Sequence, residues 1–109
     1  MVEQRPLDDL ITALADPTRR AVFEALSDGP RAVGDLAGDL PVTRPAVSQH
    51  LKVLREAGLV TVRADGTRRY YAADPRGLEG LRTWLDGFWS SALSAFATHV
   101  DAPQAHEEQ

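Results

Sequence analysis

The chain has 109 residues, a net charge of −4 and no cysteine. A chain of this length forms one domain, and its small core favours association with a partner surface. The absence of cysteine excludes disulfides, thiolate metal sites and cysteine nucleophiles. No apolar run approaches the roughly 20 residues of a membrane-spanning helix. Because the N-terminus carries acidic residues instead of a basic leader, we expect a cytoplasmic protein.

The charge is unevenly distributed along the chain. Residues 1–43 carry four basic and eight acidic side chains, residues 44–76 carry seven and three, and residues 77–109 carry one and five. A basic middle third between two acidic thirds indicates a surface directed at a polyanion. Chance clustering on a solvated surface is the alternative explanation of this pattern.

Three short helices are predicted at the start of the chain. The first follows Pro6, and the second begins at Asp16-Pro17 and ends at Asp28-Gly29-Pro30. A weaker third helix lies in RAVGDLAGDL and ends before Pro41. Their apolar positions are Leu7, Leu10, Ile11 and Leu14, then Ala21, Val22, Ala25 and Leu26, then Val33, Leu36 and Leu40.

The segment TRPAVSQHLKVLREAGLV predicts a fourth helix with two different faces. Thr43 is suitable as its N-cap, Pro45 falls in its first turn, and Gly58 suits the left-handed geometry after its end. On a helical wheel Val47, Leu51 and Leu54 share one face, and His50 borders it. The opposite face is polar and basic, with Arg44, Pro45, Ser48, Gln49, Lys52 and Arg55. The third and fourth helices therefore predict a helix-turn-helix.

A β-hairpin is predicted after Gly58. The runs LVTVRA and RRYYAA are separated by DGT, and Asp65-Gly66 indicates a type I′ turn. Tyr70 and Tyr71 point to opposite faces of a strand, so we expect one to pack on the fourth helix and the other to lie at the surface. This arrangement is favoured over a stacking platform for single-stranded nucleic acid.

A long last helix is predicted to begin at Asp74-Pro75. Its apolar positions step by three or four over nearly six turns and are widened by further side chains: Leu78, Leu81, Trp84, Leu85, Phe88, Trp89, Ala92, Leu93, Phe96 and Val100. This is more apolar surface than so small a core absorbs, which predicts packing against a second subunit or, alternatively, an apolar effector pocket. The sequence predicts one domain over residues 1–100 and a polar, mobile tail over residues 101–109.

The polar cluster in the fourth helix does not favour an enzyme. Adjacent helical residues diverge by about 100°, so Ser48 and His50 do not face one another as nucleophile and base. A metal site would need His50, His99 and His106, which lack a helical i, i+3 or i, i+4 pair. A site between subunits, with Asp86 or Asp101 beside His99, remains open.

A double-stranded DNA interface explains the same residues with fewer assumptions. Serine and glutamine can bond base edges in the major groove, and lysine and arginine neutralise phosphates. The basic hairpin can press against a minor groove. His50 is equally suited to packing within the protein and to contact with DNA. The candidate DNA-binding residues are Thr43, Arg44, Pro45, Ser48, Gln49, His50, Lys52, Arg55, Arg63, Arg68 and Arg69.

Helix, helix-turn-helix, two-stranded wing and long closing helix, in this order, resemble the ArsR/SmtB family of bacterial winged-helix repressors. The resemblance covers about residues 7–100, through LADPTRRAVFEAL, VGDLA, PAVSQHLKVLREAGLV and GTRRYYAA. It implies a mainly α fold with a small β-hairpin, in the order α1-α2-α3-α4-β1-β2-α5. It further implies a homodimeric repressor on a palindromic operator. It places base contacts at Arg44, Pro45, Ser48 and Gln49, with Pro45 where a small polar residue is common.

The resemblance also implies a dimer formed by the first and last helices. Its candidate interface residues are Leu7, Leu10, Ile11, Leu14, Leu81, Trp84, Leu85, Phe88, Trp89, Ala92 and Phe96. Many family members carry cysteines in the third helix, where this chain has Ala32, Val33 and Gly34. Other family members carry a metal-binding set of Asp and His residues on the last helix. Here that helix has Asp86 and His99, which do not have the spacing of such a set. The chain is similar to the metal-independent branch, so we expect no metal and no cofactor, and no effector is indicated.

Two alternatives remain at this point. The fold could serve as a winged-helix protein–protein module whose basic wing meets an acidic partner. It could also serve as a repressor that responds to metal through histidine and carboxylate groups.

Overall fold

The computed structural model describes residues 4–101. The helices are α1 (Gln4–Ala15), α2 (Pro17–Glu24), α3 (Val33–Asp39), α4 (Arg44–Glu56) and α5 (Glu79–Asp101). Strands β1 (Val60–Asp65) and β2 (Arg68–Ala73) form a hairpin, which we call the wing, and a 3₁₀ helix (Pro75–Leu78) precedes α5. The predicted order of elements is confirmed, with the 3₁₀ helix as an addition. Apart from Asp101, the predicted tail lies outside the described residues.

Three predicted helix starts are confirmed by side-chain caps. Asp16 accepts a hydrogen bond from the Arg19 backbone N–H at 3.0 Å, and Thr43 Oγ1 accepts one from the Ala46 N–H at 3.3 Å. Asp74 begins the 3₁₀ helix in the same way, accepting from the Arg76 N–H at 3.1 Å. Each cap satisfies a backbone donor that the first helical turn leaves without a partner.

The core is formed by the inner faces of α1, α2, α3 and α4 and by the start of β1. The apolar stripe predicted for α4 is fully buried, which fixes the rotation of this helix about its axis. The buried core side chains are Leu10, Ala13, Val22, Leu26, Leu36, Val47, Leu51, Leu54, Leu59 and Val60. None of the described polar or charged residues is buried.

The turn of the wing differs from the expected type. Asp65 pairs with Arg68, so the two turn residues are Gly66 and Thr67. Gly66 has φ +66°, whereas no described residue other than glycine has a positive φ. A type I′ turn requires positive φ at both central residues, and type II′ requires it only at the first, where glycine is favoured. The type I′ prediction was therefore wrong, because strand pairing extends one residue further than expected.

The wing is attached to the segment before α3 by a backbone bridge. The backbones of Arg31 and Tyr71 exchange two hydrogen bonds of 2.8 Å, which join β2 to the segment before α3. At the base of the hairpin, the Asp74 N–H donates to the carbonyl oxygen of Leu59 at 2.8 Å, which joins the two ends of the wing. The position of the wing relative to the helix-turn-helix is therefore fixed by backbone hydrogen bonds.

α5 is only partly packed on the rest of the protomer. Its principal contacts are with α1 and the 3₁₀ helix, and Leu78 and Leu81 pack half-buried against the core. Beyond Leu81 most of its large apolar side chains are exposed. Within the described residues, no helix is both long and apolar enough to span a membrane.

Candidate nucleic-acid interface

The outward face of α4 carries the polar residues that the sequence assigned to it. Ser48, Gln49, Lys52 and Arg55 are all exposed, because burial of the opposite apolar stripe turns them to solvent. The residues at the start of the helix, Thr43, Arg44 and Pro45, are exposed as well. α4 therefore presents one continuous polar surface over its whole length.

The basic residues of this surface differ from the other arginines of the protein. Among the described residues, Arg19, Arg31, Arg76 and Arg82 form ion pairs with carboxylates, and Arg20 donates to the carbonyl oxygen of Leu14 at 2.7 Å. No hydrogen bond or ion pair within the described part of the chain engages the basic side chains of α4 and the wing. These side chains are Arg44, Lys52, Arg55, Arg63, Arg68 and Arg69.

Tyr71 joins the wing to α4. It packs half-buried against the core and borders a groove of about 350 Å³ together with Ser48, Lys52, Arg55 and Glu56. Tyr71 is thus the tyrosine that packs inward, and the groove places it beside the fourth helix. Tyr70 is not fully at the surface as expected, because it is half-buried and the Arg68 guanidinium lies 5.5 Å from its ring centre.

His50 lies apart from this exposed surface. It is half-buried, and its Nδ1 is enclosed without a hydrogen-bond partner. The pKa of Asp16 is lowered mainly by the hydrogen bond from the Arg19 backbone and to a smaller degree by the nearby His50. These positions favour packing for His50, a choice that the sequence left open.

The other polar groups offer little for a metal or a reaction. Among residues 4–101, no group of three His, Cys, Asp or Glu side chains is placed to hold a metal ion. His106, one of the three candidate ligands, lies outside the described residues. Ser48 is exposed and makes no hydrogen bond to His50, so the pair does not form a nucleophile with its base.

A second exposed surface runs along α5 and is apolar. Its large side chains are between 47% and 66% exposed, and Trp84 and Phe88 stack with their ring centres 5.7 Å apart. Ile11 of α1 is 46% exposed. This apolar surface consists of Ile11, Trp84, Leu85, Phe88, Trp89, Leu93, Phe96 and Val100.

The remaining candidate interface residues are less accessible. Leu7, Leu14, Leu81 and Ala92 are half-buried in the protomer. Leu10 is only 4% exposed because it packs in the protomer's own core, so it has no surface to offer a partner and is removed from the candidate interface.

Comparison with known proteins decides the family. A helix-turn-helix domain model matches residues 14–63. The chain is 58% identical over 102 residues to the HTH-type transcriptional regulator Rv2034 of Mycobacterium tuberculosis, an alignment covering 94% of this chain and 95% of the relative. An ArsR-like transcriptional regulator from Rhodococcus has a similar structure, with a TM-score of 0.76 and 29% identity over 90% of this chain and 95% of that one. The chain belongs to the ArsR family.

Two more distant relatives add to this result. The transcriptional repressor SdpR of Bacillus subtilis is 28% identical over 82 residues, covering 75% of this chain and 91% of the repressor. A homodimeric winged helix-turn-helix DNA-binding domain of Mycobacterium bovis matches with a TM-score of 0.65 and 26% identity, over 84% of each chain. The family resemblance and the winged helix-turn-helix fold are thus confirmed, and this ArsR-family chain is a transcriptional regulator.

Proposed function

We propose that this ArsR-family regulator is a homodimeric repressor that binds a palindromic operator in duplex DNA. α4 enters the major groove, and residues 63–69 of the wing lie at the adjacent minor groove. The observation that carries this proposal is the set of six basic side chains on α4 and the wing, none of which has an ion-pair or hydrogen-bond partner among the described residues. A basic surface without internal counter-ions is complementary to a phosphate backbone.

Sequence recognition in this proposal comes from the exposed polar residues of α4. Ser48 and Gln49 hydrogen-bond base edges, because short hydroxyl and amide side chains match the donor and acceptor pattern of the major groove. Lys52, Arg55 and Arg63 contact the backbone and hold α4 in position. Pro45 offers no polar group, so it contributes only an apolar contact at its position.

The dimer in this proposal is formed by the apolar surface of α5 and α1. A tryptophan or phenylalanine side chain buries roughly 150–250 Å² when a partner surface covers it. Exposed apolar area of this extent is unusual for a monomer and typical of an interface. A two-fold axis between the protomers would place the two α4 helices about 34 Å apart, one turn of DNA, or a multiple of that spacing.

Release from DNA would not use thiolate chemistry, because the chain has no cysteine. The third-helix positions Ala32, Val33 and Gly34 offer no metal ligand in their side chains. We place the protein in the metal-independent branch of the family, acting on the chromosome in the cytoplasm.

Fluorescence anisotropy tests the proposal with two labelled duplexes, one from upstream of the protein's own gene and one of scrambled sequence. We expect tighter binding to the first. Affinity for both should fall with salt, with a log-log slope of about −0.9 for each neutralised phosphate. Gln49→Ala should reduce the discrimination between the duplexes by about 1–3 kcal/mol.

The serines provide a matched control for this experiment. Ser48→Ala should reduce discrimination, whereas Ser27→Ala should not, because Ser27 is an exposed serine in the turn after α2. Unchanged discrimination in both Gln49→Ala and Ser48→Ala would contradict the assignment of α4. Salt-insensitive binding would favour the alternative, a protein–protein module.

A further inference from the structure

A cleft lies between the start of α3, the start of α4 and the turn of the wing. Its volume is about 420 Å³. Three of its lining side chains are arginines from two separate elements, and no carboxylate lines it. The lining residues are Ala32, Val33, Gly34, Arg44, Thr67, Arg68, Arg69 and Tyr71.

One wall of the cleft depends on a missing side chain. A Cβ atom at Gly34 would lie 2.7 Å from Nη2 and 3.3 Å from Cζ of Arg44. The first distance is shorter than a van der Waals contact allows, so the Arg44 guanidinium occupies space that any other residue at position 34 would fill. A side chain at position 34 would therefore displace the Arg44 guanidinium, which Gly34 leaves in its present place.

The opposite wall of the cleft is formed by the wing. The two backbone hydrogen bonds between Arg31 and Tyr71 attach β2 next to the start of α3. The two-residue turn then places Thr67, Arg68 and Arg69 on the cleft. Arg44 on one side and Arg68 and Arg69 on the other thus border a single cleft, and none of them has an ion-pair partner among the described residues.

We propose that this cleft binds a phosphate group of the duplex backbone and that Gly34 positions Arg44 for it. The planar guanidinium group suits phosphate because it can donate two parallel hydrogen bonds. The inference rests on the proposed DNA binding and makes one part of it more specific. Arg44 contacts the backbone, so base recognition is left to Ser48 and Gln49.

The role of Arg44 is tested by Arg44→Gln with the upstream and scrambled duplexes over a series of salt concentrations. Affinity should fall about tenfold for both duplexes alike, as for loss of a charged hydrogen bond. The log-log salt slope should become shallower by about 0.9. A loss confined to the upstream duplex, with the slope unchanged, would show that Arg44 reads a base and would overturn the proposal.

The role of Gly34 is tested against a matched glycine on the same helix. A Cβ at Gly38 meets no atom within 4 Å, so Gly38→Ala is the control for Gly34→Ala. Both variants should fold, since alanine favours a helix and the long side chain of Arg44 can move away. Gly34→Ala should reproduce the effect of Arg44→Gln on affinity and slope, whereas Gly38→Ala should bind as the wild type does.

The double variant makes the test specific for the contact between the two residues. Combined with Arg44→Gln, Gly34→Ala should cause no further loss, because both changes remove the same interaction. Equal binding by the Gly34→Ala and Gly38→Ala variants would overturn the positioning role. Failure of the proposed function has a different signature, since the wild type would then bind neither duplex in a salt-dependent way.

The source of the phosphate is tested by NMR of the arginine side-chain N–H groups. The Arg44 Nε–H resonance should shift on addition of either duplex and remain in place with inorganic phosphate at the same ionic strength. A saturable shift with inorganic phosphate alone would overturn the assignment to the DNA backbone in favour of a free anion. No shift with any of these probes would overturn the phosphate site itself.

Discussion

α4 and α5 are both amphipathic helices, but only α4 buries its apolar face within the protomer. Val47, Leu51 and Leu54 of α4 are fully buried, whereas Phe88 and Phe96 of α5 are 59% and 66% exposed. The part of the chain from α1 to the wing, residues 4–73, which we call the head, thus completes its core within a single chain, whereas α5 leaves its apolar surface uncovered. Folding of the head and the proposed association through α5 should therefore be separable, so different substitutions should disturb one without the other.

The largest effect is expected from a charge in the middle of α5. Phe88→Glu places one carboxylate from each protomer in the proposed two-fold interface. Removing each carboxylate from water costs roughly several kcal/mol. The variant should sediment as a monomer in analytical ultracentrifugation at micromolar concentration and keep a folded head. Because Ser94 is exposed on the opposite side of the helical wheel, Ser94→Glu should remain dimeric. A wild-type protein that is monomeric at this concentration would contradict the proposal that α5 forms a subunit interface.

A smaller effect is expected from truncation of the buried stripe of α4. Leu51→Ala should lower the free energy of unfolding by about 2–5 kcal/mol, as for other cavity-forming substitutions. Leu93→Ala, made in the monomeric Phe88→Glu background, should leave it nearly unchanged because Leu93 is 48% exposed. Urea denaturation measures both values, and similar losses in the two variants would mean that α5 is packed within the protomer.

The N-cap of α4 should contribute less to the free energy of unfolding than the buried stripe does. Thr43→Ala removes the hydrogen bond to the Ala46 N–H and should cost about 1 kcal/mol of stability. Thr98→Ala, within exposed α5, serves as the control and should cause no loss because alanine favours a helix. If thermal unfolding showed equal midpoints for the Thr43→Ala variant and the wild type, the cap would have no energetic role.

The smallest effect is a dependence of stability on acid pH. The pKa of Asp16 is lowered mainly by the Arg19 backbone N–H, and the pKa of Asp74 is lowered mainly by the Arg76 side chain. A lowered pKa in the folded state stabilises the protein above the unfolded value of about 3.9, and this contribution is lost as the pH falls through the folded value. Urea midpoints should therefore fall in acid. Asp74→Asn should show a weaker dependence, and an unchanged pH profile would contradict this role of Asp74.

The sequence predicted α4 well because the information is local. The spacing of Val47, Leu51 and Leu54 specifies both the helix and its buried face, and Thr43 marks its start. The resemblance to ArsR-family motifs supplied the order of the remaining elements. The assignment of Ser48 and Gln49 to an exposed surface followed directly from the same periodicity.

The sequence could not predict features that depend on distant residues. Leu10 and Ile11 are alike in the pattern of α1, yet one packs in the core and the other stays exposed. The turn type depended on whether Asp65 joins the strand pairing, which a local Asp-Gly motif does not decide. The contact of Arg44 with Gly34 joins two helices, and no periodicity signals it.

The backbone bridge between Arg31 and Tyr71 restricts how this protein can respond to a signal. Because the hairpin is tied to the segment leading into α3, the wing cannot swing away from α3 without breaking these two hydrogen bonds. In the proposed dimer, a signal would therefore act on the angle or the separation between the two protomers rather than on the wing alone. In the proposed repressor, regulation would then alter the spacing of the two α4 helices and leave the contacts of each helix with its half-site unchanged.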